Sequence, residues 1–303
     1  MWVHKAMHTF ITPRGARTLL VLGALTAAAC GKPADTTPAQ GTLAIQMSRS
    51  RVALGSPVDI TYKFTLASDA ANLGVRKVFV HFMDVDGEQM WTDDHDPPTP
   101  TSAWKPGQTV EYTRTVFAPV YPYVGQATIV AGLYEPSSGD RVKLSGTDAG
   151  GRAYESAQFE LLPQTENIFL IFKDGWHAVE SATDNAMVEW QWTKKEATLA
   201  FRNPRRDAVL FFQADNPATA ATAAKAVEIR LGDQVLQVVP LGTDGPVHKI
   251  PLTAAAMGSG DMVELRLVVD RTFVPALEAG ARSNDPRELG ARVFHAFVQP
   301  QGS

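Results

Sequence analysis

The densest group of potential metal ligands in the sequence is the run of residues 93–96, Asp-Asp-His-Asp, which follows Asp84 and Asp86. Hard cations such as Ca²⁺ take several oxygen ligands, so a calcium site is one interpretation. The segment around Asp86 and Gly87 lacks the later ligands of an EF-hand loop, and Asp-Gly is a typical hairpin turn. A solvated loop whose Asp side chains cap turns explains the run without a metal, and we predict no metal site. We expect His81, on a predicted strand, to be a hydrogen-bonded structural histidine.

Aromatic and charged side chains in the second half of the chain indicate a different chemistry, the binding of sugars. Sugar rings stack on exposed aromatic faces, and Arg and Asp side chains hydrogen-bond to hydroxyl groups. By these criteria the candidate ligand-binding residues are Trp176, Trp190, Trp192, Arg202, Asp285 and Arg287. Trp190 and Trp192 are two residues apart, so on one strand they point to the same face. The alternative is that this face is packed into a core, because large aromatic side chains dominate cores.

Asp285 and Arg287 also have a structural interpretation. A salt bridge between loop and sandwich would occupy both side chains without any ligand. Asp285 can cap a one-turn helix that has Pro286 at its first position and Gly290 past its end. We therefore expect a short helix in this segment.

Motifs for catalysis are absent from the sequence. It contains no G-x-S-x-G, H-E-x-x-H, Walker or dinucleotide-binding glycine pattern. The carboxylate pairs of glycoside hydrolases meet only in space, so Glu180, Glu189 and Glu196 are formal candidates that nothing in the sequence selects. We expect a protein that is not an enzyme and needs no cofactor, and we keep a hydrolase with an unrecognised carboxylate pair as the third alternative.

The single cysteine of the chain, Cys30, follows a basic segment with Lys5, Arg14 and Arg17 and an apolar run over residues 18–29. This run is shorter than the about 20 residues that a membrane-spanning helix needs. A basic stretch, a short apolar core and small terminal residues are typical of a secretory signal peptide. We therefore predict a signal peptide over residues 1–29.

The small residues directly before Cys30 resemble the lipobox of bacterial lipoprotein precursors, although Ala27 stands where Leu is commonest. The resemblance implies that Cys30 is acylated, with palmitate among its acyl chains, and becomes the mature N-terminus. It also implies anchoring to a membrane of the cell envelope, at the outer membrane or periplasmic face in a Gram-negative cell. The alternative is an ordinary signal peptide cut after Ala29, which would leave a free and reactive thiol at Cys30.

Composition narrows the possible partners and the source of stability. The net charge is −4, and removal of a basic signal peptide makes it more negative, so we expect no nucleic-acid partner. One cysteine allows no intrachain disulfide, so stability must come from hydrophobic cores.

Alternation of apolar and polar residues, interrupted by Asp-Gly and Pro-Gly turns, predicts short strands along the rest of the chain. Examples are residues 58–66, 109–117 and 262–270. We predict an all-β fold of two antiparallel β-sandwich domains, Ig-like or jelly-roll-like, in tandem. The predicted order is lipidated cysteine and spacer over residues 30–42, first sandwich over 43–162 and second sandwich over 165–300.

Two resemblances accompany this prediction. The pieces at 81–87, 94–98, 100–107 and 132–141 resemble an immunoglobulin-like accessory domain of bacterial exported proteins and some membrane glycosyltransferases. Gly175-Trp176 and residues 188–197, 273–276 and 285–290 are similar to a β-sandwich domain also found beside bacterial glycosyltransferases. The second resemblance implies a carbohydrate-binding role, and neither supplies catalytic residues.

The expected function is therefore that of a non-catalytic, membrane-anchored envelope lipoprotein that binds an envelope polysaccharide or a protein partner. A structural or assembly lipoprotein without a small ligand is the alternative.

Overall fold

A computed structural model of the chain describes residues 35–183, 188–218, 223–243, 245–278 and 283–302. Cys30 and the predicted signal peptide lie outside the described residues. From Pro38 onward the chain forms one compact unit. Within the described ranges, no helix is both long enough and apolar enough to cross a bilayer.

Short strands make up most of the described chain. The first half contains β1 (Gly41–Met47), β2 (Arg51–Ala53), β3 (Pro57–Leu66), β4 (Lys77–Met83), β5 (Gln89–Thr92), β6 (Thr109–Phe117), β7 (Gly125–Tyr134), β8 (Thr147–Asp148) and β9 (Tyr154–Leu162), with 3-10 turns at Thr101–Ala103 and Gln164–Glu166. The second half contains β10 (Leu170–Phe172), β11 (Glu180–Ser181), β12 (Glu189–Trp192), β13 (Glu196–Arg202), β14 (Ala208–Asp215), β15 (Ala226–Leu231), β16 (Gln234–Pro240), β17 (Val247–Leu252), α1 (Ala254–Met257), β18 (Met262–Val269) and β19 (Arg292–Pro300), with a 3-10 turn at Pro275–Leu277.

The strands form two sandwiches, which confirms the predicted fold class. In the first sandwich a sheet of order β1-β3-β6 faces a sheet of order β2-β9-β7-β4-β5, with β8 added beside β9. In the second sandwich the two sheets have the orders β10-β13-β18-β15-β16 and β11-β12-β19-β14-β17. Within the described residues, the strands named above pair in antiparallel fashion, apart from the short β2, which runs parallel to β9.

Each sandwich has its own hydrophobic core between its sheets. In β3 the predicted alternation places Ile60, Tyr62 and Phe64 inside, all nearly inaccessible to water. In the second core Phe212 of β14 and Leu265 of β18 are completely buried. Burial of one such side chain contributes about 1.5–3 kcal/mol. The two cores therefore supply the stability that the chain cannot obtain from disulfides.

The first strand begins earlier than predicted. Gly41 and Thr42, assigned from sequence to the spacer, belong to β1 and pair with Leu66 and Thr65 of β3. Gly41 permits this because a Cβ atom there would lie 2.3 Å from the carbonyl oxygen of Thr65. The strand thus begins at a residue whose missing side chain allows close pairing, a signal that hydrophobic alternation does not contain.

Candidate functional site

Trp192, one of the predicted sugar-binding residues, packs in the interior of the protein. Its side chain is buried, with 7% of the residue exposed, in a small cluster with Phe273 and Leu289. Its ring meets the Phe273 ring edge-on at 6.1 Å between centroids. The core-packing alternative is therefore correct for Trp192, whose side chain is not available as a ligand contact.

Trp176 and Arg202 are not brought together with the other candidates. The Trp176 side chain is half-buried against the second core, and its indole Nε1 donates to the backbone oxygen of Thr198 at 2.9 Å. Arg202 is exposed at the far end of β13, paired with Met262. Four residues of extended strand separate Thr198 from Arg202, which is about 13 Å. Trp176 and Arg202, both candidates from the sequence, therefore do not contribute to one site.

Trp190, Asp285 and Arg287 do come together, through Glu180. The Trp190 indole Nε1 donates to Oε2 of Glu180 at 3.2 Å, and Arg287 Nη1 donates to its Oε1 at 2.6 Å. Arg287 Nη2 also donates to Oδ2 of Asp285 at 2.7 Å. Hydrogen bonds from Arg287 hold the pKa of Asp285 below its usual value. The salt-bridge interpretation thus describes Asp285 and Arg287, whose charged groups fasten the loop and orient Trp190.

The short helix expected after Asp285 does not form. Its Oδ1 accepts instead from the backbone N–H of Arg287 at 3.0 Å, a local turn that competes with helix formation. Leu289 is then extended and pairs with Phe273. A Cβ atom at Gly290 would lie 2.5 Å from Thr193 Oγ1, so this glycine serves a close contact between segments.

An open cleft of about 620 Å³ lies on the outer face of the sheet that contains β14 and β19. Polar and aromatic side chains of different strands and loops line it, among them Gln213, Asp215, Thr243, Arg292, Phe294 and His295. Its size is in the range of small-ligand sites.

A bidentate ion pair lies in the cleft. Arg292 Nε and Nη2 donate to Oδ1 and Oδ2 of Asp215, each at 2.7 Å. The Asp215 side chain is 4% exposed, so its charge depends on Arg292 for compensation. The guanidinium carbon of Arg292 lies 5.1 Å from the Trp190 ring centroid and 4.9 Å from that of Phe294. The pair therefore positions an arginine beside two aromatic rings that also contact each other.

A β-bulge brings two consecutive side chains of β19 into the cleft. Gln213 of β14 pairs with His295, whereas the next residue, Ala214, pairs with Val293, so Phe294 is left without a partner in β14. Phe294 and His295 both line the cleft as a result. Bulges often re-aim side chains beside functional sites.

Gly245 allows the loop that contains it to pack closely against β14 at the edge of the cleft. A Cβ atom at Gly245 would lie 1.9 Å from the backbone oxygen of Ala214, so no other residue fits this approach without movement. The Gln213 side-chain amide donates to the backbone oxygen of Gly245 at 2.9 Å. Thr243 in the same loop lines the cleft.

The acidic run at 93–96 is a structural anchor in the first sandwich. Arg114 donates to both carboxylate oxygens of Asp93, at 2.9 and 3.1 Å, and the Tyr62 hydroxyl donates to Oδ2 at 3.2 Å. His95, 6% exposed, contacts the Tyr112 hydroxyl through Nε2 at 2.8 Å. Within the described residues, no group of three or more His, Cys, Asp or Glu side chains forms a potential metal site.

The two histidines of this region differ in environment. Burial lowers the pKa of His95, and the same cause lowers that of His81, which lies half-buried with Nε2 3.7 Å from Asp94 Oδ1. His81 was singled out from sequence as the structural histidine, and His95 was read as part of a solvated loop. His95 is the more deeply buried, because it packs edge-on against Tyr62 at 5.0 Å.

Sequence reasoning identified Trp190 but missed Asp215, Arg292, Phe294 and His295. Asp215 and Arg292 lie on different strands far apart in the sequence, so no local pattern joins them. The one local signal is the break in alternation at Phe294 and His295, where two large side chains follow each other in a strand.

Comparisons with known proteins do not assign a family. No family model matches the chain, and no curated protein matches it. Among solved structures, it is similar to the alkylpurine DNA glycosylase AlkC of Pseudomonas fluorescens, solved bound to DNA with an abasic-site analogue, at 12% identity over 41% of this chain and 30% of that one, TM-score 0.24. It is also similar to pT26-6p, at 8% identity over 87% and 63% of the two chains, TM-score 0.25.

A third similar structure is the collagen adhesin of S. aureus, at 7% identity over 87% of this chain and 97% of that one, TM-score 0.18. The chain thus spans less than a third of the glycosylase chain, 30%, and under two thirds of pT26-6p, 63%. Likenesses of this size carry no conclusion about function, and the two-sandwich fold rests on the sheet topology above.

Proposed function

We propose that this chain is a non-catalytic lipoprotein of the cell envelope, held in a membrane through Cys30, whose second sandwich binds a glycan. The observation that carries the binding half is the position of Arg292, which Asp215 holds beside the rings of Trp190 and Phe294 at an open cleft. The resemblance of residues 175–290 to sandwich modules beside glycosyltransferases supports the same ligand class.

The chemistry of the cleft suits a ligand with hydroxyl groups and apolar ring faces. Gln213 and Thr243 offer amide and hydroxyl groups, and Phe294 offers a half-buried ring. Arg292 keeps donors that the carboxylate of Asp215 does not use, since a guanidinium has five N–H groups. A sugar can stack on the rings while its hydroxyls bond to the polar side chains.

The carboxylates near the cleft favour binding over hydrolysis. Glycosidases use two carboxyl groups, one of which must carry a proton as general acid. Both carboxylate oxygens of Asp215 accept hydrogen bonds from Arg292. Glu180 already accepts from Trp190 and Arg287. Both groups are committed to positioning other side chains, which supports a non-catalytic role.

The anchor half of the proposal rests on the sequence around Cys30. Mass spectrometry of the mature N-terminus should find a chain that begins at Cys30 and carries acyl groups. Cys30→Ala should move the protein from the membrane fraction to the soluble fraction. An unmodified N-terminus, or a Cys30→Ala protein that stays in the membrane, would remove this half of the proposal.

The binding half is tested with an array of neutral and acidic bacterial polysaccharides. Trp190→Ala should lower the retained signal at least tenfold, because it removes a ring beside Arg292. Trp176→Ala is the matched control, since both tryptophans are half-buried and pack against hydrophobic clusters of the second sandwich, whereas Trp190 is the one whose ring Arg292 contacts. Equal loss in both variants, or no binding by the wild type, would contradict a glycan site at the cleft.

A protein-binding role without a small ligand has its own supporting observation. β10 is an edge strand of its sheet, and Phe169 and Ile171 beside and within it are 57% and 52% exposed. Unpaired edges with apolar side chains favour pairing with another chain. Cross-linking in cells that recovers one stoichiometric partner, lost in Ile171→Lys, would favour this function over the glycan site.

A further inference from the structure

We propose that the glycan site continues from the cleft onto the first sandwich, with Phe117 as its contact there, and that it takes an extended, uncharged oligosaccharide segment. This inference rests on the proposed function of the cleft. It adds three statements to that function: the length of the ligand, its lack of charge, and a role for the first sandwich in binding it.

The two sandwiches meet at a residue of the cleft. The His295 ring, which lines the cleft, stacks on the Phe117 ring at 4.0 Å between centroids and 10° between planes. Phe117 ends β6 and is half-buried. A ligand that passes over His295 therefore reaches an aromatic side chain of the first sandwich next.

Polar contacts fix this junction. Lys249 Nζ of β17 donates to both carboxylate oxygens of Asp59 at 2.6 Å, and the Thr115 hydroxyl donates to Oδ1 of the same carboxylate at 2.7 Å. Thr115 and Phe117 are two residues apart on β6, so they share a face. The linker residue Asn167 adds a bond from Nδ2 to the backbone oxygen of Leu54 at 2.7 Å. Phe117 is thus held beside the cleft.

The aromatic rings follow one another in an order that suits several sugar units. Trp190 meets Phe294 edge-on at 6.1 Å, Phe294 precedes His295 in the bulge, and His295 stacks on Phe117. The part of this course that Phe294 and His295 form lines the cleft, which is open rather than enclosed and therefore suits a chain that passes through. A single sugar would cover one or two of these rings and leave the others unused.

The charges of the described lining residues offset each other. Asp215 and Arg292 form a bidentate pair, so neither charge is left for a ligand of opposite sign. Desolvation of the His295 ring lowers its pKa, so the ring is neutral at pH 7. Part of the residue is still exposed to water. The lining thus offers hydrogen-bonding groups without a net charge, which suits an uncharged ligand, because such a ligand does not lose the hydration of a charge on binding.

The experiment is calorimetry with the full chain and oligosaccharides of increasing length. The probes are the disaccharide, tetrasaccharide and hexasaccharide from the neutral polysaccharide with the strongest array signal, with alginate oligosaccharides as acidic probes. Phe117→Ala should weaken hexasaccharide binding about threefold to tenfold and leave disaccharide binding unchanged, as expected for one lost ring contact. Phe169→Ala, an exposed phenylalanine away from the cleft, should change neither.

Three outcomes would overturn the inference. The first is a wild type that binds the disaccharide as tightly as the hexasaccharide. The second is alginate binding as tight as that of the neutral probe. The third is a loss in Asp59→Ala equal to that in Phe117→Ala, because Asp59→Ala loosens the junction but keeps the ring.

The same measurements separate this inference from the function on which it rests. If Trp190→Ala abolishes binding while Phe117→Ala and Phe117→Leu have no effect on any length, the cleft binds glycan but the site ends there. If no probe binds the wild type, the glycan function itself fails.

Discussion

The two sandwiches contain similar sets of side chains in different settings. In the first, Arg114 binds Asp93 in bidentate fashion, with Tyr62 and His95 alongside. In the second, Arg292 binds Asp215 in the same way, with aromatic rings and a histidine nearby.

We call the first set closed, because its polar groups bond to one another. The Tyr62 hydroxyl donates to Asp93, and His95 Nε2 bonds with the Tyr112 hydroxyl. Burial raises the pKa of Tyr62 and Tyr112, so both hydroxyls stay protonated as donors.

The second set lies on the outer face of its sheet. There a β-bulge places two consecutive side chains, Phe294 and His295, in the lining of the cleft. The Arg114–Asp93 pair thus serves as a staple, because other protein groups bond to it. The Arg292–Asp215 pair is more deeply buried, but it lines an open cleft and is therefore a candidate binding surface.

The largest effect should come from breaking the closed set. Asp93→Ala leaves the Arg114 charge and the Tyr62 hydroxyl without their acceptor and should lower the free energy of unfolding by about 3 kcal/mol. Urea unfolding measures this. Asp96→Ala is the control, because its carboxylate is exposed and pairs with Lys77 at 3.3 Å, and it should cost less than about 0.5 kcal/mol. Equal losses would mean that the first set is not a staple.

The open set should respond in binding rather than in stability. Phe294→Ala removes a half-buried ring beside Arg292 and should weaken binding of a neutral polysaccharide about tenfold, which is about 1.4 kcal/mol. Calorimetry measures the affinity, and thermal unfolding should show a much smaller loss than that of Asp93→Ala. If stability collapses while the remaining folded protein binds normally, the two sets play the same structural role.

The histidine of the closed set, His95, should contribute a pH dependence to stability that its substitution removes. Burial lowers the pKa of His95, so below its unfolded value of about 6.5 the unfolded chain takes up the proton first. Stability is complete above that pH and falls as the pH drops toward the folded-state pKa, by up to about 1.4 kcal/mol per pH unit from this residue. His95→Gln should flatten the slope of unfolding free energy between pH 7 and 5. Parallel slopes for wild type and variant would contradict this.

The smallest effect should come from the junction between the sets. Asp59→Ala removes the ion pair with Lys249, whose side chains are 30% and 41% exposed, and should cost at most about 1 kcal/mol. Raising the salt concentration should shrink the difference further, because surface pairs are screened. A loss above that of Asp93→Ala would mean that the junction, rather than the cores, limits stability.

Much of the fold could be predicted from the sequence, because period-two alternation reports which face of a strand is buried. β6 has the predicted bounds, Thr109–Phe117, and the turn after β4 forms as expected, with Asp84 Oδ1 accepting from the N–H of Glu88 at 2.8 Å. β2 and β11 are too short for alternation to be recognised. Their pairing is decided by neighbouring strands.

The site was less predictable, because its parts meet only after folding. Trp190 was visible as one of a pair of tryptophans, but its partner Arg292 comes from β19, which pairs with β12. The expected helix after Asp285 is absent, and Asp285 Oδ1 accepts from the Arg287 N–H in a local turn instead. Polar residues in loops have several local options, and tertiary contacts select among them.

The most direct test of the central claim is to map where a glycan touches the chain. Backbone amide hydrogen exchange should be measured with and without a saturating amount of the neutral polysaccharide that gives the strongest array signal. We predict added protection at residues 213–215, at Thr243 and Gly245, and at residues 292–295, with residues 93–96 and 112–114 unchanged. Protection at the first-sandwich staple, or nowhere in the second sandwich, would contradict the assignment of the cleft as the binding site.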